Sequence, residues 1–538
     1  MKFTFDGEPV PFSTGQTVAA ALTAHGISTF RKSRRLDQAR GQFCEIGNCW
    51  ECLVEHSDGR SVRACRTPAD EDLVLNTARP VRDTLGPASL PKTESVSATV
   101  AVVGAGPAGL CATKALTTFG IEVLLLDQES AAGGQLYRRV LDEAPHPASL
   151  ASDDPLVDYR PGVYVWAAQS ASQAHQLWCT GDEILHVTAR YVVIATGAQE
   201  LTLPFPGWQL PGVTTAGAAQ VLTKNQGVDL GGAVMIAGSG PFLLPVAKTL
   251  SRTADSSWCV DSGSFPELLR PGFALHPERV LAFVSYQSAL KSGGTSVLRR
   301  HVVAEALGTD HLEAVRVAPI DSGRPDLSRQ REIGLDHLAI SHGFVPNLDL
   351  GLNLDCDVAV DSVFSARLAA DAWQRTSVEG IFAAGESTGI GGGPKAKAEG
   401  RVAALTIAAE LGHRSNTLLP RVRSRRARQF ARLVGTAAKP PVGWRDLLTP
   451  ETIICRCEDV TYGAILDAIA LGATDARAVK GVTRCGMGMC QGRTCGPVLQ
   501  ALVSQSTDEP AIGLQRRSVA TPVTLSEIAA IGGGQTDA

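Results

Sequence analysis

Residues 2–5 alternate polar and apolar, Asp6-Gly7 supplies a hairpin turn, and residues 9–12 return as a second strand. The alanine-rich stretch 17–24 predicts a short helix closed by Gly26. This strand–turn–strand–helix opening, followed by a cysteine loop, predicts a small α+β domain over residues 1–85. Residues 86–98, with Pro87 and Pro91 among several Ser and Thr, read as a linker. Residues 99–103 form a continuous apolar strand that runs into Gly104-Ala105-Gly106-Pro107-Ala108-Gly109. Strand and helix patterns alternate from there to about residue 412, which predicts α/β architecture. A second strand with a glycine turn, 233–237 then Gly238-Ser239-Gly240, predicts a nested dinucleotide-type domain over 226–329, inside a first domain formed by 99–225 and 330–412.

Residues 413–450 read as a linking helix that Lys439-Pro440-Pro441 breaks. Its arginines, Arg421, Arg423, Arg425, Arg426, Arg428 and Arg432, predict a solvated face, with docking to a partner or an anionic surface as the alternative. Residues 451–505 hold a second cysteine set. The tail 506–538 is polar and ends with Gly532-Gly533-Gly534, although 519–528 keeps enough apolar character to pack.

Composition narrows the class. At 538 residues the chain is too long for one core. A net charge of −4 gives no reason to expect nucleic acid. No apolar run approaches the roughly 18 residues of a membrane span, and the N-terminus lacks the apolar region of a signal peptide. These features predict a cytoplasmic protein, where thiols stay reduced. Thirteen cysteines in such a compartment ask for metal rather than disulfides.

Gly104, Gly106 and Gly109 follow a strand and open a helix, which suits a pyrophosphate on a helix N-terminus. Asp127 ends the next strand at the distance of a ribose partner. Strand 191–194 ends in Ala195-Thr196-Gly197, and strand 381–384 ends in Gly385-Glu386. These motifs resemble those of the two-dinucleotide-domain flavoproteins, the glutathione- and thioredoxin-reductase-like superfamily, over residues 98–412. The resemblance implies FAD held by Gly104, Gly106, Pro107, Ala108 and Gly109, and by Asp127 and Gln128. It adds Gly134, Gln135 and Leu136 from an isoalloxazine-side loop, Thr196 and Gly197, and Gly385 and Glu386, with Glu386 standing in for the usual Asp. The second glycine turn has Leu243 where a third glycine belongs, and Asp261 follows a short polar stretch. A working NAD(P) site and a degenerate one are both open. Cys111, Cys179, Cys259 and Cys356 are isolated and predict inert buried thiols; no vicinal pair offers disulfide-reductase chemistry.

Cys44-x4-Cys49-x2-Cys52, followed by Cys65, matches plant-type [2Fe–2S] spacing at its first three ligands. Zinc prefers paired CxxC knuckles, and only one CxxC stands here. Gly47 lets amides turn toward the sulfurs. Glu45 and Glu51, if they face the cluster, are expected to lower its potential. Cys455-x-Cys457 with Cys490-x4-Cys495 resembles the bacterioferritin-associated-ferredoxin-like (BFD-like) [2Fe–2S] domain, and the segment Arg484-Cys485-Gly486-Met487-Gly488-Met489-Cys490-Gln491-Gly492-Arg493 is glycine-rich enough to wrap a cluster. Cys485 is a fifth thiol nearby, and zinc stays open for this set.

The whole chain, with Pro204-Phe205-Pro206-Gly207-Trp208, Gly212-Val213-Thr214-Thr215-Ala216-Gly217-Ala218 and the C-terminal CRCE…GMGxCQGRxC module, resembles the electron-transfer subunits of bacterial amine and imino-acid dehydrogenases. That group includes hydrogen cyanide synthase, opine dehydrogenases, D-hydroxyproline dehydrogenase and the α chain of sarcosine oxidase. The resemblance implies a multidomain α/β flavoprotein flanked by an N-terminal β-grasp plant-type ferredoxin domain, here fused, and a C-terminal BFD-like domain. It implies FAD, two [2Fe–2S] clusters and a second FAD-dependent catalytic subunit similar to glycine oxidase or D-amino-acid dehydrogenase, hence a hetero-oligomer. In relatives an FMN sits between subunits; the sequence leaves that open, as it does peripheral membrane contact toward a quinone. A self-sufficient NAD(P)H-dependent reductase is the alternative, and a nonredox scaffold a third. No acid–base catalyst stands out: His25, His301 and His342 are isolated.

Overall fold

The computed structural model describes residues 1–78, 92–138, 153–171, 173–181, 183–263, 277–437, 439–504, 517 and 519–532. They fall into two compact units. One comprises Met1–Arg82, Glu200–Phe344 and Leu433–Pro510, the other Asp83–Gln199, Val345–Arg432 and Ala511–Ala538.

In the first unit the opening hairpin pairs Lys2–Phe5 antiparallel with Glu8–Pro11. Lys2–Phe5 also runs parallel to Val74–Thr77, which pairs with Leu53–His56 and through it with Ser61–Arg63. Thr17 caps the helix Val18–Ala24 by accepting from the Ala20 amide. Its Val18 and Leu22 pack with Phe3, Phe5, Phe30 and Leu75. One helix on a mixed sheet leaves the loop 40–52 to carry chemistry at the edge.

The same unit holds a parallel sheet in the order Val213–Thr215, His337–Ser341, Ala233–Gly238, Ser256–Asp261, Ser296–Arg299. The sequence assigned 226–329 to this nested domain, and the sheet is wider. Val213–Thr215 is too short to show a period, and its partner His337–Ser341 lies far along the chain. The polar stretch before Asp261 is a full strand, held by its neighbours on both sides. Antiparallel strands His301–Leu307, Ala314–Asp321 and Arg331–Gly334 complete this part. The C-terminal module has a short hairpin, Ile453–Cys455 with Val460–Thr461, and helices Tyr462–Ala470, Ala476–Thr483 and Gly496–Val503.

The second unit is built on a sheet ordered Val157–Arg160, Val123–Leu126, Thr93–Val103, Ile184–Ile194, His175–Thr180, Tyr164–Gln169, with Ile381–Ala383 also beside Ile184–Ile194. Here the linker expectation for 86–98 is corrected. Thr93 already begins the strand, in register with Ile184, so the strand has 11 residues. Its first half alternates with a polar face, which in sequence looks like a linker; residues 86–91 lie outside the described residues. The helix Leu418–Ala437 is less solvated than expected: Arg428 pairs with buried Glu399 at 2.7 Å, and the Arg421 guanidinium lies 4.4 Å from the Trp373 ring centre. In the tail, Leu525–Gly532 is helical and Tyr164 donates to Glu527 at 3.2 Å. Among the described residues no helix is long and apolar enough to cross a membrane.

Candidate electron-transfer site

The first cysteine nest lies in the loop leading into Leu53–His56. Glu45, Gly47 and Trp50 take positive φ values of 51°, 76° and 60°. That winding turns amides inward. Cys49 N lies 3.4 Å from Cys44 Sγ, and Glu51 N lies 3.5 Å from Cys49 Sγ. All four cysteines are buried. Their thiols pair as Cys44 with Cys49 and Cys52 with Cys65. Burial pushes the Cys44 thiol up, but the Cys49 thiol and the amides of Ile46, Cys49 and Asn48 outweigh it and bring it down to about 6. Two pairs of buried sulfurs supplied with amide donors fit a two-iron cluster.

Glu51 corrects an expectation. Its carboxylate faces cations: Arg31 Nη2 at 3.2 Å, Arg456 Nε at 3.6 Å and Arg40 Nε at 4.0 Å. Its charge still reaches Cys49, as that of Glu45 reaches Cys52 and Cys65, but the three guanidiniums offset it.

The second nest is assembled by the hairpin at Cys455 and the turns after the helix Ala476–Thr483. Cys455, Cys485 and Cys495 bring their Sγ atoms within 4.8 Å of one another. Cys457 and Cys490 form a separate thiol pair. The four expected residues are thus present, and Cys485 joins them as a third sulfur on the Cys455 side. The Gly486 and Glu458 amides aim at Cys455, and those of Thr494 and Gly492 at Cys490. Hydrogen bonds from the Cys485 and Cys495 thiols lead in holding Cys455 well below the ordinary thiol range, against its burial.

In the second unit the first glycine turn forms a cradle. Gly104 is at φ 108°, and a Cβ there would lie 2.4 Å from Ala195 O. A Cβ on Gly109 would meet Gly104 O at 1.8 Å, so this glycine is needed for helix–strand packing. Gly106 differs. Among the described residues nothing lies nearer to a Cβ there than Gly134 Cα at 4.0 Å, so they leave the space in front of the helix N-terminus open. Asp127 accepts from the Ala105 amide and, at 2.6 Å, from the Glu129 amide. Pro107 and Ala108 begin the helix Pro107–Thr117, and Gln128 is exposed beside the turn. Gln135 and Leu136 are exposed on the helix Gly134–Tyr137. Thr196 donates to Asn347 O at 3.2 Å, and a Cβ on Gly197 would meet nothing within 4 Å among the described residues. Open space ringed by glycines at a helix start fits a pyrophosphate-linked flavin nucleotide.

Glu386 turns its carboxylate onto the Gly391 and Gly392 amides at 2.9 and 2.7 Å, and burial raises it above the usual carboxylate range. Sequence reasoning missed what holds this turn. Lys395 Nζ donates to Gly385 O at 2.6 Å, to Thr388 Oγ1 at 2.7 Å and to Glu399 Oε2 at 2.8 Å. Glu399 also accepts from the Gly385 amide at 3.0 Å. Lys395 and Glu399 are four apart on the helix Gly393–Glu410 and look like a surface pair in sequence. Both are buried.

The second glycine turn packs its first glycine against the neighbouring strand as the first turn packs Gly104. A Cβ on Gly238 would lie 1.7 Å from Ser341 O. Pro441, Trp444 and Leu447 line the small cavity at Gly238 together with His342. Burial raises Asp261. The histidines are structural: His342 accepts from the Leu203 amide at 3.3 Å, while His25 and His301 bond to the Ala21 and Arg299 carbonyls. Cys179, Cys259 and Cys356 are buried and Cys111 is half-buried, and burial raises all four thiols.

Residues 1–80 match the 2Fe-2S iron-sulfur cluster binding domain, 98–408 the pyridine nucleotide-disulphide oxidoreductases, and 453–505 the BFD-like [2Fe-2S] binding domain. An opine oxidase subunit of Agrobacterium tumefaciens is 32% identical over 80% of this chain and 90% of its own length. The hydrogen cyanide synthase subunit HcnB of Pseudomonas aeruginosa is 32% identical over 80% of this chain and 98% of its own. The crystal structure of L-proline dehydrogenase from P. horikoshii matches with a TM-score of 0.74 at 19% identity, over 98% of this chain and 97% of that one, a likeness of fold.

Proposed function

The chain belongs to the pyridine nucleotide-disulphide oxidoreductases and, among them, to the family of flavo-iron–sulfur subunits that includes the one from opine oxidase; on that premise we propose that it is the electron-transfer subunit of a heteromeric dehydrogenase oxidising the C–N bond of an amine, opine or imino acid. It is an FAD- and iron–sulfur-dependent oxidoreductase. The substrate pocket belongs to a second flavoprotein subunit, of glycine-oxidase or D-amino-acid-dehydrogenase type. A flavin exchanges electrons singly or in pairs and a [2Fe–2S] cluster singly, which is the chemistry such groups supply when bound.

The residues divide that work. Gly104, Gly106 and Gly109 admit the pyrophosphate, and Asp127 stands at the ribose end. Thr196, Gly197, Gly385 and Glu386 border the remainder, and the Lys395–Glu399 pair keeps the Gly385 turn rigid. Cys44, Cys49, Cys52 and Cys65 hold one cluster. Cys455, Cys457, Cys490 and Cys495 hold the other, with Cys485 in reach of the first of them.

The observation that favours a subunit over a self-sufficient reductase is the likeness along 80% of this chain to subunits of opine oxidase and hydrogen cyanide synthase. The second glycine turn, with Leu243 where a third glycine would let the helix approach, supports it. Donation from NADH is therefore not expected. Anaerobic addition of NADH to the purified protein should leave the flavin absorbance intact, while a co-purifying flavoprotein given an opine or imino acid should bleach it. Rapid bleaching by NADH alone would transfer the assignment to a reductase.

A further inference from the structure

The two cysteine nests lie in one unit and touch: Cys457 Sγ is 3.9 Å from the Cys49 carbonyl oxygen. Beneath that contact is a buried block of charge. Arg456, between Cys455 and Cys457, faces Glu51, between Cys49 and Cys52, at 3.6 Å. Arg31 donates to the Glu51 carbonyl and carboxylate, both at 3.2 Å. Arg40 donates to Asp459 at 2.8 Å, and Asp459 in turn accepts from the Arg35 and Leu36 amides at 3.0 and 3.3 Å. Arg456 is held flat, with its guanidinium 4.1 Å from the Phe43 ring centre and Nη1 donating to the Trp208 carbonyl at 2.8 Å. These five charged groups are all buried.

Three guanidiniums, permanently charged, thus meet two carboxylates. One positive charge is left over, and Arg40 Nε and Arg456 Nε have no hydrogen-bond partner among the described residues. An uncompensated buried cation is costly, so the block calls for further anions close by. Arg31 lies within electrostatic reach of Cys49 in one nest and Cys457 in the other. A thiolate-ligated cluster is itself an anion and becomes more so on reduction.

We infer that Arg31, Arg40 and Arg456 are positioning residues shared by both nests, which clamp them at the Cys49–Cys457 contact and hold the two clusters as one interacting pair whose negative charge they jointly offset. The inference rests on the cluster assignment above. The clamp has its parts on both sides of the seam between the two [2Fe-2S] domains: Arg31, Arg40 and Glu51 come from residues 1–80, Arg456 and Asp459 from 453–505.

The test is electron paramagnetic resonance of the full-length protein, purified anaerobically and titrated with dithionite. Fully reduced protein should give a spectrum broadened or split relative to the sum of two independent signals. Arg31→Gln should retain iron and sulfide yet make both clusters about tenfold or more harder to reduce, roughly 59 mV each for a one-electron couple. Arg31→Lys should recover most of the shift. Full sulfide with two additive signals, or an R31Q shift confined to one cluster, overturns the inference while leaving the assignment standing. Negligible sulfide overturns both. The wild-type spectrum decides the coupling even where R31Q fails to load.

Discussion

Gly106→Val and Gly109→Ala test the flavin cradle as a pair, because the two glycines are needed for different reasons. Gly106 has φ −77° and ψ −174°, open to any residue, and among the described residues no atom lies within 4 Å of a Cβ except Gly134 Cα at that limit. Valine there should leave the fold's stability within about 1 kcal/mol, since the chain has room and loses a flexible residue from its unfolded state. Its side chain would fill the space meant for the pyrophosphate. Overpacking of about 1–3 kcal/mol, plus displaced hydrogen bonds of roughly 1 kcal/mol each, gives flavin binding about 100-fold weaker. Gly109→Ala instead sets its methyl 1.8 Å from Gly104 O, so the helix must move off the strand, at a cost of about 1–3 kcal/mol or more. Urea melts of flavin-free protein report the first quantity and flavin fluorescence titrations the second. Full flavin occupancy in G106V, or a wild-type melt for G109A, would refute the reasoning.

Lys395→Met leaves Glu399 buried with one fewer cation and frees the Gly385 carbonyl; a loss of about 3–5 kcal/mol is expected in denaturant melts, with flavin content falling in parallel. His337 and His342 are buried, and burial lowers both to about 4. The unfolded chain therefore binds protons first as pH falls below about 6.5, so stability present at neutral pH is lost toward pH 4, by about 2 kcal/mol per histidine at pH 5. Melts at pH 7 and pH 5 measure the difference, and equal midpoints would contradict it. Cys455→Ser should remove one cluster's visible absorbance and leave flavin bound; zinc without iron in that module would end its role in electron transfer.

Much of this was legible because it depends on local spacing. The hairpin at residues 2–11, the glycine turn with its strand and acid, and both cysteine patterns are short-range signals, and each sits in the expected kind of element. What escaped is what non-neighbours decide. Val213–Thr215 joins the nested sheet only because His337–Ser341 and Ala233–Gly238 are beside it. Thr93–Ala98 resembled a linker because a half-exposed strand of Ser, Thr and Glu has the composition of one. Glu51 beside cysteines suggested an anion acting on a cluster, until three arginines from residues 31, 40 and 456 proved to surround it. Lys395 and Glu399 carry the pattern of a solvated pair, and their burial comes from the Gly385 turn folding over them.

The account stands on the cysteine nests binding inorganic iron and sulfide. Iron and acid-labile sulfide should be assayed on protein purified without oxygen and quantified per chain. Two clusters predict about four of each. Negligible sulfide, or zinc in place of iron, would contradict the account at its base.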